Sequence, residues 1–132
     1  MTCFWDGIIN QLRPEDYARI GFNPPANAHE LVVLLKHFNR KTPCVRWNDT
    51  TLTAKQMEEN LEHIISFDSN SIHNGYDCSI CDPFLLLVTD LFEVEVHHRY
   101  LGVHMMIYKP CIHVETRRVI RFTSDSGHFM AE

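Results

Sequence analysis

Cys3 and His128 are the residues whose types and settings fit covalent chemistry, one near each end of the sequence. An ionised cysteine is a nucleophile, and a histidine near it in space can take the thiol proton. Phe4, Ile8 and Leu12 recur every fourth residue with Ile9 beside them, a spacing that predicts an amphipathic helix. At roughly 100° per residue, Cys3 points well away from that stripe. Its side chain would sit among the unpaired amide N–H groups and positive dipole end of the first turn, a setting that favours thiolate. His128 follows Gly127, ends the polar turn begun by Ser124-Asp125-Ser126, and precedes Phe129. A backbone turn there would present the imidazole while the aromatic anchors the strand below. The competing readings are a small packing cysteine and an ordinary surface histidine.

A rival site is Cys78-Ser79-Ile80-Cys81. Two thiolates three residues apart can share one tetrahedral metal, but a structural zinc wants a second tight pair, which the sequence lacks. Further ligands would have to come from His73, His97, His98, His104 or Cys111, none in a recognised pattern. Among the nine histidines, His29, His37 and His63 are expected at solvent or edge positions on helices. His97, His98 and His104 flank strands and are expected to be hydrogen-bonded structural residues. Gly-rich phosphate loops, the Gly-x-Ser-x-Gly elbow and the His-Glu-x-x-His helix are absent, which removes the commonest nucleotide, serine-hydrolase and metalloprotease readings.

These residues must be positioned by elements whose signals are local. After the opening helix, Asn23-Pro24-Pro25 forces a turn, and helical spacing returns through Leu31, Leu34, Leu35 and Phe38. Trp47-Asn48-Asp49 marks a second break. Thr53 and Gln56, three apart, fit a capping box for a helix through Met57, Leu61, Ile64 and Ile65 that stops near Asp68. Residues 69–81 are polar and irregular, with a turn at Asn74-Gly75. Asp82-Pro83 then supplies a cap and a first-turn proline for a helix over 84–92. Beyond it, residues 94–97 alternate, and 103–108 and 119–123 are rich in β-branched and aromatic residues bounded by Gly102, Pro110 and Gly127. Four helices followed by three or more strands predict an α+β domain rather than a doubly wound sheet.

At 132 residues the chain is read as one domain, 1–132, with a single core. The apolar run over 84–88 is far too short to span a bilayer, and no leader pattern opens the chain, so no membrane or export is expected. Five cysteines without a framework spacing point to a reducing cytosol. A net charge of −5, with basic residues scattered except for Arg117-Arg118, argues against nucleic acid and favours a partner with a basic face.

With both ends and the middle in view, the chain resembles the ovarian-tumour (OTU) family of cysteine proteases, especially compact forms from large DNA viruses. Three blocks carry the likeness: Cys3-Phe4-Trp5-Asp6-Gly7-Ile8; Gly75-Tyr76-Asp77-Cys78-Ser79 with the stretch from Asp82-Pro83-Phe84 to Val96-His97; and Val119-Ile120-Arg121-Phe122-Thr123 leading to Gly127-His128-Phe129. Their order and joint spacing cover essentially the whole chain. The resemblance implies a papain-like OTU fold, a small central sheet from the C-terminal half flanked by helices mainly from the N-terminal half. It implies a cofactor-free, monomeric thiol hydrolase of the host cytoplasm that cleaves isopeptide bonds at the C-terminus of ubiquitin or a ubiquitin-like modifier and so evades host defence. Cys3 would be the nucleophile and His128 the general base. Trp5 and Phe129 would be walls of the channel that holds the ubiquitin tail, with Trp5 equally suited to the core. The chain departs from the family in two places. Only Met1 and Thr2 precede Cys3 where members carry an acidic, glycine-containing loop, so the oxyanion loop is reduced or the chain is the trimmed end of a longer one. Met130 stands where many members place the Asp or Asn that orients the histidine, with Asp125, Glu132 and Asp6 as unranked substitutes. Two alternatives follow: a catalytically degenerate OTU-fold module that binds ubiquitin or a host protein, and a small zinc-binding interaction protein built on Cys78 and Cys81.

Overall fold

Local sequence signals set the helices. The computed structural model describes residues 3–74, 83–100, 102, 104–110, 118–124 and 129–131; the side chains of Cys3, Ser71, His73, Asn74, Tyr100, His104 and residues 129–131 fall outside that description. Helix α1 spans Cys3–Gln11 and buries Phe4 and Ile8 of the predicted stripe, with Leu12 buried just past its end and Trp5 buried beside them. Helix α3 (Ala28–His37), numbered after a short helix α2 at Pro14–Ala18, is capped by Asn27, whose side chain accepts from Glu30 N at 3.0 Å. It turns Leu31, Val32, Leu34 and Leu35 into the core. The expected capping box opens α4 (Ala54–Ser66): Gln56 N donates to Thr53 Oγ1 at 3.1 Å and Thr53 N donates to Gln56 Oε1 at 2.9 Å. A 3-10 turn over Ser69–Asn74 follows, and α5 (Pro83–Phe92) is apolar almost all round, with Phe84 to Thr89, Leu91 and Phe92 buried. Glu93, at φ 54°, takes a left-handed conformation that turns the chain from α5 into the sheet.

Among the described residues the sheet has six strands: β1 (Arg46–Trp47), β2 (Thr50–Thr51), β3 (Glu95–Tyr100), β4 (His104–Lys109), β5 (Val119–Ser124) and β6 (Phe129–Ala131), in the order β2-β1-β4-β3-β5-β6. β3 and β5 run parallel and the other neighbours antiparallel, so the sheet is mixed and the architecture α+β. Four of the strands come from the C-terminal half, as expected. The β1–β2 hairpin is an addition from the first half of the chain, where the sequence shows only a break. Its turn uses Asn48 (φ 50°) and Asp49 (φ 68°), the residue types that tolerate positive φ in a two-residue hairpin loop. Asn48 also joins the sheet: its N donates to Ile107 O at 2.9 Å and its Oδ1 accepts from Ile107 N at 2.8 Å.

Strand alternation sends Val96, His98, Met106, Tyr108, Ile120, Phe122 and Ser124 inward. α5 packs on β3 and β4, α3 on α1 and α5, and α1 on β6. The short helix α2 had no periodic stripe to announce it. Pro14 at its first position and the Arg13 N–H donating to Asp16 Oδ2 at 2.7 Å start it, and it buries Asp16 and Tyr17. No helix among the described residues is long and apolar enough to cross a membrane. Cys44 is disulfide-bonded, which sits poorly with the reducing compartment expected from cysteine spacing.

Tyr17 lies against Phe92, ring centroids 5.3 Å apart, and its buried hydroxyl has no hydrogen-bond partner among the described residues. Burial pushes its pKa up to about 12, so it stays neutral. An unpaired buried hydroxyl costs on the order of 1 kcal/mol or more. Tyr17→Phe should therefore stabilise the fold by about 1 kcal/mol in urea unfolding; a loss of stability would show that the hydroxyl is satisfied.

Candidate functional site

Helix α1 begins at Cys3, and the strand it lies against, β6, begins one residue after His128. The two ends of the chain thus meet at one side of the sheet. Cys3 occupies the first position of the helix, where the first-turn N–H groups lack intrahelical partners. The Cys3 side chain and the whole of His128 lie outside the described residues.

What holds α1 there is a polar contact between distant residues. β5 is flanked by β3 on one side; on the other, β6 pairs with residues 122–124 only. The next residue of that open edge, Arg121, is satisfied by the Gln11 side chain. Arg121 N donates to Gln11 Oε1 at 2.8 Å, and Gln11 Nε2 donates to Arg121 O. The carboxamide thus stands in for a strand, offering one donor and one acceptor as a peptide group would. Arg118 adds a second tie: its Nη1 donates to Gln11 O at 2.9 Å, and its guanidinium pairs with the buried Asp16. Burial, with Arg13 nearby, lowers the Arg118 pKa, Glu15 acting the other way.

Behind β5 lies His98, fully buried on β3. Its Nε2 shares a hydrogen bond of 2.5 Å with the hydroxyl of Ser124, which is 7% exposed. Ser124 is the last residue of β5 and stands opposite Phe129 in register, so this bond fixes the base of the β5–β6 hairpin. Burial pushes the His98 pKa down to about 4, leaving the ring neutral at pH 7.

The expected site residues divide as follows. Trp5, at 1% exposure, takes the core position, one of its two expected places, and is not a channel wall. Its ring meets Phe4 at 4.7 Å, Phe84 at 4.9 Å and Phe67 at 5.5 Å, an aromatic cluster whose burial holds α1 on α5. Phe129 begins β6, its side chain outside the described residues. Asp6, three residues along α1 from Cys3, is exposed, and Asp125 and Glu132 lie outside the described residues. So do Cys78, Cys81 and Cys111; the described residues hold no group of three or more His, Cys, Asp or Glu side chains able to bind a metal. His29, His37 and His63 are exposed, as expected. His97 is half-buried with its Nε2 2.5 Å from Glu95 Oε2, a structural pairing. A groove of about 630 Å³ between Phe22, Pro24 and Pro25 and the α3 residues His29, Val33 and His37 contains none of the expected site residues.

Sequence reasoning missed Gln11, Arg118, Asp16 and Ser124. Gln11 carried no signal, because a polar residue at a helix end is ordinary and its partner lies 110 positions away. Comparison with protein-family models, curated proteins and solved structures found no match.

Two outcomes test this arrangement. Gln11→Ala leaves both Arg121 backbone groups without their side-chain partner and should cost about 1–2 kcal/mol, read by chemical denaturation, with faster amide exchange at Arg121. An unchanged exchange rate there would mean the strand edge does not depend on Gln11. For His98, the folded pKa lies below the ordinary 6.5, so the folded state binds fewer protons than the unfolded chain in that window. Its contribution is complete above about pH 6.5 and is lost as pH falls toward 4. Unfolding free energy should fall by up to about 1.4 kcal/mol per pH unit there, a slope that His98→Gln should flatten.

Proposed function

We propose that the chain is a cysteine-type deubiquitinase of the OTU kind. The observation that supports it is the lie of α1, with Cys3 at its N-terminus, against β6, whose first residue follows His128. On this reading His128 takes the thiol proton of Cys3, and the thiolate attacks the isopeptide carbonyl. The C–S bond forms as the C–N bond breaks, and His128 returns the proton to the leaving lysine amine. Water then hydrolyses the thioester, releasing the modifier's carboxylate and the free thiol. First-turn amides of α1 are the nearest backbone donors to Cys3 for the oxyanion. Ubiquitin, or a ubiquitin-like modifier, is the substrate; the host cytoplasm is the proposed place of action.

Reaction with ubiquitin carrying a C-terminal electrophile is the test. The wild-type chain should form a covalent adduct, Cys3→Ala none, and His128→Ala one at a rate at least about 100-fold lower. Binding without an adduct would leave a ubiquitin-binding module in place of an enzyme. Adduct formation that survives Cys3→Ala would move the nucleophile elsewhere.

A further inference from the structure

The helices pack on one face of the sheet, and strand alternation lays the remaining side chains on the other. That second face carries Arg46 from β1, Met105, Ile107 and Lys109 from β4, Glu95, His97 and Arg99 from β3, and Val119, Arg121 and Thr123 from β5. The register makes Arg46 the neighbour of Lys109, His97 the neighbour of both Ile107 and Arg121, and Arg99 the neighbour of both Met105 and Thr123. Arg46, Arg99, Arg121 and Met105 are exposed, and Ile107 and Val119 are half-buried.

Most described Lys and Arg side chains off this face have an acidic partner, Arg13 and Lys36 excepted. Arg19 pairs with Glu93, Arg40 with Asp90, Lys41 with Glu58, Lys55 with Glu59 and Arg118 with Asp16. On the open face, Lys109 reaches Asp49 at 3.6 Å on the rim, and Glu95 is turned to His97. Arg46, Arg99 and Arg121 have no acidic partner among the described residues. Among the described residues, a chain of net charge −5 therefore gathers arginines without acidic partners on one sheet face, beside the adjacent Met105 and Ile107 of β4, with Val119 set apart across β3.

We propose that this face docks an acidic, aliphatic-bearing segment of a partner protein, independently of the hydrolase reading. Carboxylates would meet Arg46, Arg99 and Arg121 as charge-assisted pairs, and aliphatic side chains would cover Met105, Ile107 and Val119. Arg99 and Arg121 are diagonal neighbours on adjacent strands, about 7–8 Å apart. Alternate side chains of an extended peptide lie about 7 Å apart, so acids at alternate positions match the pair. Nucleic acid fits less well. No exposed aromatic among the described residues of this face offers a base a stacking surface, and Met105 and Ile107 would find no match on a phosphate backbone.

The test is fluorescence anisotropy with a labelled peptide in which Glu and Asp alternate with Leu and Val, run beside a single-stranded RNA of similar length. The peptide should bind the intact protein saturably at about 50 mM salt and several-fold more weakly at about 300 mM. The Arg46→Gln, Arg99→Gln, Arg121→Gln triple variant should bind roughly tenfold more weakly, and the Lys41→Gln, Lys55→Gln control should match wild type. Circular dichroism checks that the triple variant is folded; if it is not, the single variants Arg46→Gln and Arg99→Gln should each lose about two- to threefold. No saturable peptide binding, equal binding by the arginine variants, or tighter binding of the RNA lost in the same variants would each overturn the proposal.

Discussion

The arrangement of the two chain ends depends on one side-chain amide acting as a piece of β-strand. β5 has β3 on one side, and on the other the described residues of β6 reach only as far as Phe122. A strand edge left open presents donors and acceptors in need of partners. Gln11 fills the place next to β6 with one acceptor and one donor on the same residue, Arg121. Because α1 is a continuous helix, fixing its last residue fixes its first: Cys3 lies about 12 Å up the axis from Gln11. Arg118, bonded to Gln11 O and paired with Asp16, ties α2 to the same strand.

The apolar interior then decides how α1 is rotated. Trp5, Phe67 and Phe84 form a cluster of tilted and edge-on rings, joining α1 to α5 and to the end of α4. Such contacts add about 0.5–1.5 kcal/mol each beyond the area they bury. Trp5 is thereby committed to packing. The core holds the polar pair His98 and Ser124 where β5 ends opposite Phe129 of β6. Desolvation holds that imidazole neutral, so it hydrogen-bonds without bringing a buried charge into the apolar interior.

Net charge does not describe the surface point by point. In a chain of total −5, acids such as Asp90 and Glu58 pair locally with Arg40 and Lys41, while Arg46, Arg99 and Arg121 share one sheet face without an acidic partner among the described residues. Charge acts over about 8 Å in physiological salt, so each face presents its own local charge rather than the sum.

Elements whose causes are near neighbours are legible in the amino-acid order: the α1 and α3 stripes, the Thr53–Gln56 box, the proline at the head of α5, and the β-branched runs of β3, β4 and β5. The α+β class is legible too, because order of elements is a property of the string. Packing settles the rest: that the β1–β2 hairpin joins the sheet, which of its two places Trp5 takes, and that Gln11, Asp16 and Ser124 are structural partners of Arg121, Arg118 and His98. Periodicity encodes which face of an element is apolar, and nothing more. A hydrogen bond between residues 110 positions apart leaves no local trace, since either residue alone is an ordinary polar side chain until packing removes its water.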